Sequence, residues 1–196
     1  MVRQRHASTL ATRLLSWPQP MTSTPAAVAA RLSPTSFRAA LGMFATGVTV
    51  VTARASNGQL VGLTANSFNS VSLDPPLVLW SLSGRSSSLA VFRAGTHYAI
   101  NVLAADQLEM AQRFAAPARD RWAGVRWRHG HGGAPLIEGA AACFECLNRS
   151  RYVEGDHVIF VGQVEHCSHR PGAVPLLFHG GRYYTEHEVR GRRGET

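Results

Sequence analysis

Apolar and polar positions along this chain change period several times. Phe37, Ala40, Leu41 and Phe44 recur at helical spacing and form one apolar face. Ser33 is a good N-cap and Pro34 a good first helical residue, so a helix is predicted from there, ended by Gly47. Residues 48–53 are a β-branched run and read as a strand. Ser56-Asn57-Gly58 reads as a tight turn, because Asn-Gly tolerates positive φ. Residues 60–73 return as one or two strands, broken by Asp74-Pro75-Pro76. Residues 77–82 are nearly continuously apolar, which predicts a buried strand. A short helix opened by serines is predicted over 86–92 and a strand over 97–103. Gln107, Met110, Ala111 and Phe114 share a second helix that ends before Pro117. Residues 118–133, with Trp122 and Trp127, read as an irregular loop. Residues 140–152 and 157–166 form a hairpin around Glu154-Gly155-Asp156, and 176–178 and 182–185 form another around Gly180-Gly181.

Many short strands with close turn signals and two or three helices predict a mainly β fold, a β-barrel with peripheral helices. No repeated strand–helix alternation and no G-x-G-x-x-G occur, so a Rossmann domain is not expected. A chain of 196 residues that is 45 % hydrophobic can bury a core and is not wholly disordered. No apolar run approaches the roughly 18 residues of a membrane helix. The acid-free, Ala/Ser/Thr/Pro-rich residues 1–30 are expected to be a disordered extension, although a mitochondrial transit peptide has the same character. Residues 31–187 are expected to be the folded domain and 188–196 a polar tail.

The formal net charge is +8, and all 20 basic residues are arginine. Without lysine, a Schiff base or a P-loop lysine is excluded. The arginines are scattered rather than striped, which argues against nucleic acid and leaves anionic partners such as phosphorylated cofactors. The three cysteines, Cys143, Cys146 and Cys167, are too few for a disulfide framework and suit a reducing, cytoplasmic setting. Cys143 and Cys146 have C-x-x-C spacing, and His166 and His169 follow. On a strand, however, residues three apart face opposite ways, so buried structural thiols are expected rather than a zinc site.

The usual catalytic constellations are missing: G-x-S-x-G, H-E-x-x-H and dense carboxylates are all absent. What stands out is polar residues among apolar strands. Thr64-Ala65-Asn66-Ser67 interrupts one strand, Ser81-Leu82-Ser83 closes another, and Asp156-His157 follows a glycine turn. Ser86, Ser87 and Ser88 open a helix, where free N–H groups and hydroxyls, with Arg85, suit a phosphate. Ordinary capping explains the same serines equally well.

Taken in order, these motifs resemble the short-chain flavin reductases, the reductase components of two-component flavin-dependent monooxygenases. Residues 37–52 read FRAALGMFATGVTVVT, residues 62–79 read GLTANSFNSVSLDPPLVL, and residues 100–103 read INVL. Phe114-Ala115, Glu145-Cys146 and Gly155-Asp156-His157 then follow, so the resemblance covers about 34–186. It implies an FMN-binding split β-barrel, usually a homodimer. It implies NAD(P)H:flavin oxidoreductase activity, with NADH or NADPH as donor, FMN or FAD as acceptor, and a monooxygenase component as recipient of reduced flavin. The alternative is the same barrel holding flavin without turnover. The implied flavin contacts are Thr46, Gly47 and Val48, then Thr64, Ala65, Asn66 and Ser67, then Ser81 and Leu82, with Ser87 and Ser88 at the phosphates. His157 corresponds to the catalytic position beside the nicotinamide, and Tyr183 or Tyr184 lines the same side. Hydride transfer is the cofactors' own chemistry, so a site of hydroxyls, amides and main chain suffices and no acid–base pair is needed.

Overall fold

The computed structural model describes residues 32–117 and 120–185. The expected extension at 1–30 and tail at 188–196 lie outside them. The chain divides into two units, Met1–Phe37 and Arg38–Thr196. Helix α1 is Pro34–Gly42, and the Ser33 hydroxyl accepts the Ser36 N–H at 3.0 Å, as its N-cap reading requires. Gly47 does not end this helix. The chain leaves helical geometry after Gly42, whose carbonyl accepts the Gly180 N–H at 2.9 Å. Gly47 instead lies in strand β1 (Thr46–Gly47), opposite Leu177 of β11 (Leu176–His179). A partner strand about 130 residues away overrides the local helical signal.

The central feature is a seven-stranded antiparallel sheet. Its strands are β2 (Thr49–Arg54), β3 (Leu60–Ala65), β4 (Asn69–Leu73), β5 (Pro76–Ser83), β6 (His97–Val102), β9 (Ala142–Glu154) and β10 (His157–His169). Their spatial order is β3-β2-β6-β9-β10-β5-β4. Strand β12 (Arg182–Thr185) joins β1 and β11 in a three-stranded sheet. The three predicted hairpin turns are present, with Gly58, Gly155, Gly180 and Gly181 all at positive φ. Residues 60–73 resolve into two strands. The expectation of an irregular loop through Trp127 is corrected: Trp127–His129 is a short strand, β7, paired with β8 (Pro135–Ile137).

Strand β5 is not buried along its whole length as its composition predicts. Val78, Trp80 and Leu82 are buried while Leu77, Leu79 and Ser81 are only partly so, because the strand presents a single face to the core. Trp80 stacks on Phe160 at 4.8 Å and meets Phe92 edge-on at 4.9 Å and Tyr98 at 5.8 Å. Such pairs add about 0.5–1.5 kcal/mol each beyond the area they bury. Gly162, at a bulge in β10, must lack a side chain, since a Cβ there would overlap the Tyr98 ring and lie 2.9 Å from the Cys146 Cβ.

Helix α2 is Leu89–Ala94, three residues later than expected, so Ser86 and Ser87 sit in the turn before it. Helix α3 is Leu108–Ala115, entered through a 3₁₀ turn at Ala105–Gln107. Cys143 and Cys146 are buried in different apolar clusters, as expected of residues three apart on β9.

A buried polar node ties four strands together. Asn101 on β6 is fully buried. Its amide donates to the Val50 carbonyl at 3.0 Å and to the Thr52 hydroxyl at 3.2 Å, and its Oδ1 accepts the Ile137 N–H at 2.8 Å and the Cys143 thiol at 3.4 Å. Thr52 in turn donates to the Pro135 carbonyl. β7 and β8 are thereby attached to the main sheet by hydrogen bonds as well as by packing.

Candidate functional site

Three strand ends and one connection build a cleft. Antiparallel pairing of β5 with β10 sets Ser83 opposite His157 and Ser81 opposite Ile159. The connection after β3 is drawn to β5 by Ser67, whose hydroxyl donates to the Ser81 carbonyl at 3.1 Å and accepts the Ser81 N–H at 3.0 Å. Thr64, Ala65, Asn66 and Ser67 therefore face Ser81, Leu82, Ser87 and His157 across a cleft of about 480 Å³. A smaller pocket of about 150 Å³ shares Thr64, Ala65, Asn66 and Ala115 with it and adds Val48, Phe178 and Tyr183. The larger cleft falls in the usual size range of small-ligand sites, about 300–1,000 Å³.

Several hydroxyls here are already committed. Thr64 donates to the Ala111 carbonyl at 2.6 Å, and Thr49 donates to that of Ala65 at 2.7 Å. Ser83 and Ser86 accept the N–H groups of Arg85 and Ser88, both at 3.3 Å. Among the described residues, the side chains of Ser87 and Asn66 have no hydrogen-bond partner. Among the described residues the buried Thr46 hydroxyl, on the strand residue opposite Phe178, has no partner either. Unspent hydroxyl and amide groups beside an apolar wall of Val48, Phe178 and Tyr183 fit a ring edged with heteroatoms and carrying a phosphorylated chain.

Not every residue singled out in the sequence lines this space. Thr46 and Gly47 lie on β1 beside it. Ser88 is buried at the start of α2 without capping it and does not line the cleft. Tyr184 is 45 % exposed on the face of β12 opposite Tyr183, whose ring packs on Phe178 at 5.1 Å. The sequence reading missed Phe114 and Ala115 as lining residues, and it missed Arg121. The Arg121 guanidinium donates to the carbonyls of Ala116 at 2.9 Å and Gly62 at 3.1 Å. The loop that carries it is fixed by Asp120, which accepts the N–H groups of Trp122 and Ala123 at 3.0 Å, and by Trp122 packed edge-on to Phe114 at 5.0 Å.

His157 opens β10 after a two-residue loop, with Gly155 at φ +58°. Its Nδ1 is 2.7 Å from an Asp156 carboxylate oxygen. That bond above all, with a smaller contribution from the Arg85 charge, holds the Asp156 carboxyl below the usual carboxylate range. The loop is anchored by the Gly84 N–H, which donates to the Asp156 carbonyl at 2.8 Å.

The family described as "Flavin reductase like domain" matches residues 41–187. The chain belongs to that family. It is 49 % identical over 148 residues to "FMN reductase (NADH) SmoA" of Agrobacterium fabrum, a match covering 76 % of this chain and 83 % of that one. It is 43 % identical over 148 residues to the reductase component of the flavin-dependent trigonelline monooxygenase of Acinetobacter baylyi, covering 76 % of this chain and 47 % of its relative. The chain thus spans about half the length of some curated relatives and most of others. Among solved structures, the NADH:FAD oxidoreductase SgcE6 of Streptomyces globisporus, in complex with NAD and FAD fragments, superposes with a TM-score of 0.73. The two are 39 % identical, and the match covers 82 % of this chain and 94 % of that one. This flavin reductase is an oxidoreductase, and relatives named for turnover do not favour the reading of a flavin holder without activity. Among its described residues no helix is long and apolar enough to cross a membrane.

Proposed function

We propose that this reductase oxidises NADH, or NADPH, and passes the hydride to FMN or FAD in the cleft between β3, β5 and β10, for use by a monooxygenase component. The observation that carries the reading is the meeting of Thr64–Ser67, Ser81, Leu82, Ser87 and His157, distant in sequence, around one cleft. A bound flavin supplies the hydride-accepting chemistry. Val48, Phe178 and Tyr183 give its ring system an apolar wall, while Thr46, Asn66 and the main chain of 64–67 meet its polar edge. Ser87 and Arg121 serve its anionic end, with Ser88 contributing through the turn it completes. Gly47 has open space where a side chain would stand and leaves β1 unobstructed beside the ring, and Tyr184 stays at the rim. His157, half-exposed at the mouth, is assigned to the nicotinamide donor.

The domain is taken as 31–187, a split barrel that works as a homodimer. Support for the dimer comes from apolar side chains left exposed in one chain: Leu41, Met43 and Phe44 near α1, Leu73 on β4, and Tyr152 and Val153 on β9. Burying them in a second copy would contribute about 25 cal/mol per Å². Free cysteines at 143, 146 and 167 suit the cytoplasm.

The direct test is absorbance at 340 nm with each nicotinamide donor and each free flavin. Donor oxidation that depends on added flavin is the expected result, and its absence with every pair overturns the reading. His157→Ala is expected to raise the KM for the donor about tenfold, the loss of one good hydrogen bond, with flavin Kd unchanged. Equal loss of both affinities would remove His157 from the donor side.

A further inference from the structure

The Asp156–His157 pair does something that membership of the site does not explain. Of the two ring nitrogens of His157, Nδ1 is engaged by the Asp156 carboxylate at 2.7 Å, so Nε2 is the nitrogen left for the cleft that His157 lines. A carboxylate accepts hydrogen bonds and does not donate them, so this bond requires the proton on Nδ1. A neutral ring then carries its lone pair on Nε2. The arrangement is set in advance by the main chain. Gly155 turns the hairpin, the Gly84 N–H holds the Asp156 carbonyl, and the β5–β10 ladder sets His157 opposite Ser83. The positive charge of Arg85 also acts on the Asp156 carboxylate and helps keep that group ionised as an acceptor. The side chains of Asp156 and His157 are 78 % and 46 % exposed, so the pair is screened by water and adds little to stability. Its effect is on which proton faces the ligand.

We propose that Asp156 is a positioning residue that fixes His157 as the Nδ1–H tautomer, so that Nε2 accepts a hydrogen bond from the carboxamide N–H of the nicotinamide donor. The proposal rests on the assignment of His157 to the donor side. An Nε2 acceptor pairs with the carboxamide N–H at the edge of the nicotinamide ring. It orients the donor's ring and takes no part in the hydride step.

The test compares D156N, H157A and the unaltered protein by steady-state kinetics, flavin titration and long-range nitrogen–proton NMR of the His157 ring. An asparagine amide at 156 can donate to Nδ1 and drive the proton to Nε2, as replacing the triad aspartate by asparagine does in serine proteases. D156N is expected to raise donor KM about tenfold while flavin Kd is unchanged, and to move the ring proton from Nδ1 to Nε2. A donor KM for D156N within twofold of the unaltered protein, beside a raised KM for H157A, overturns the role of Asp156 and leaves that of His157 standing. So does an Nε2–H tautomer in the unaltered protein. If H157A itself leaves donor KM unchanged, the assignment of His157 fails and this proposal fails with it.

Discussion

Replacing Asn101 by leucine is expected to cost about 3 kcal/mol of stability, although the two side chains share the same branched outline. The asparagine satisfies four partners on β2, β8 and β9 at once. Leucine would leave the Ile137 N–H without its acceptor and the Thr52 hydroxyl without its donor, inside a region closed to water. Each buried group so orphaned costs about 1–3 kcal/mol, and the apolar gain from leucine offsets part of that. Urea unfolding of the purified variant is the measurement, read as a fall in midpoint at constant slope. A loss below about 1 kcal/mol would mean that packing alone holds β7 and β8 to the sheet, and that the node is incidental.

The largest functional effect is expected from Ala115→Trp. Ala115 is the last residue of α3, exposed to solvent, and it borders both the cleft and the smaller pocket beside it. An indole placed there fills the junction through which the two spaces communicate and crowds anything lying along Thr64–Asn66. Overpacking of this kind costs about 1–3 kcal/mol, so flavin Kd should rise by up to about 100-fold. The helix tolerates the change, because the side chain starts in water, and the unfolding midpoint should not move. Fluorescence titration with FMN and with FAD decides the matter. An unchanged Kd for both would place the flavin outside this cleft.

Much of this architecture could be read from local chemistry. Asn57-Gly58, Gly155-Asp156 and Gly180-Gly181 demand turns whatever surrounds them, and Ser33-Pro34 starts a helix with its own side chain. What failed was decided by distant partners. Gly47 looked like a helix stop until β11 supplied a strand for it to pair with. Trp127–His129 is too short to show a period and becomes a strand only because Pro135–Ile137 returns beside it. The alternating burial of β5 was hidden because its half-buried positions are as apolar as its buried ones. The same division holds for the site. Threonines, serines and a histidine interrupting apolar strands could be seen in the sequence. Arg121 could not, because a loop with no periodicity carries it to the cleft and main-chain carbonyls of Ala116 and Gly62 hold it there.

The committed hydroxyls of the cleft give it a direction. Thr64 and Ser67 hand their protons to the carbonyls of Ala111 and Ser81, so towards a guest they offer lone pairs only. Ser87 and Arg121, at another part of the same wall, still have protons to give. A molecule with N–H groups at one end and bare oxygens at the other is therefore matched in one sense of entry and mismatched in the reverse. The hydrogen-bond pattern of the wall by itself sorts head from tail, before shape or charge at long range has acted.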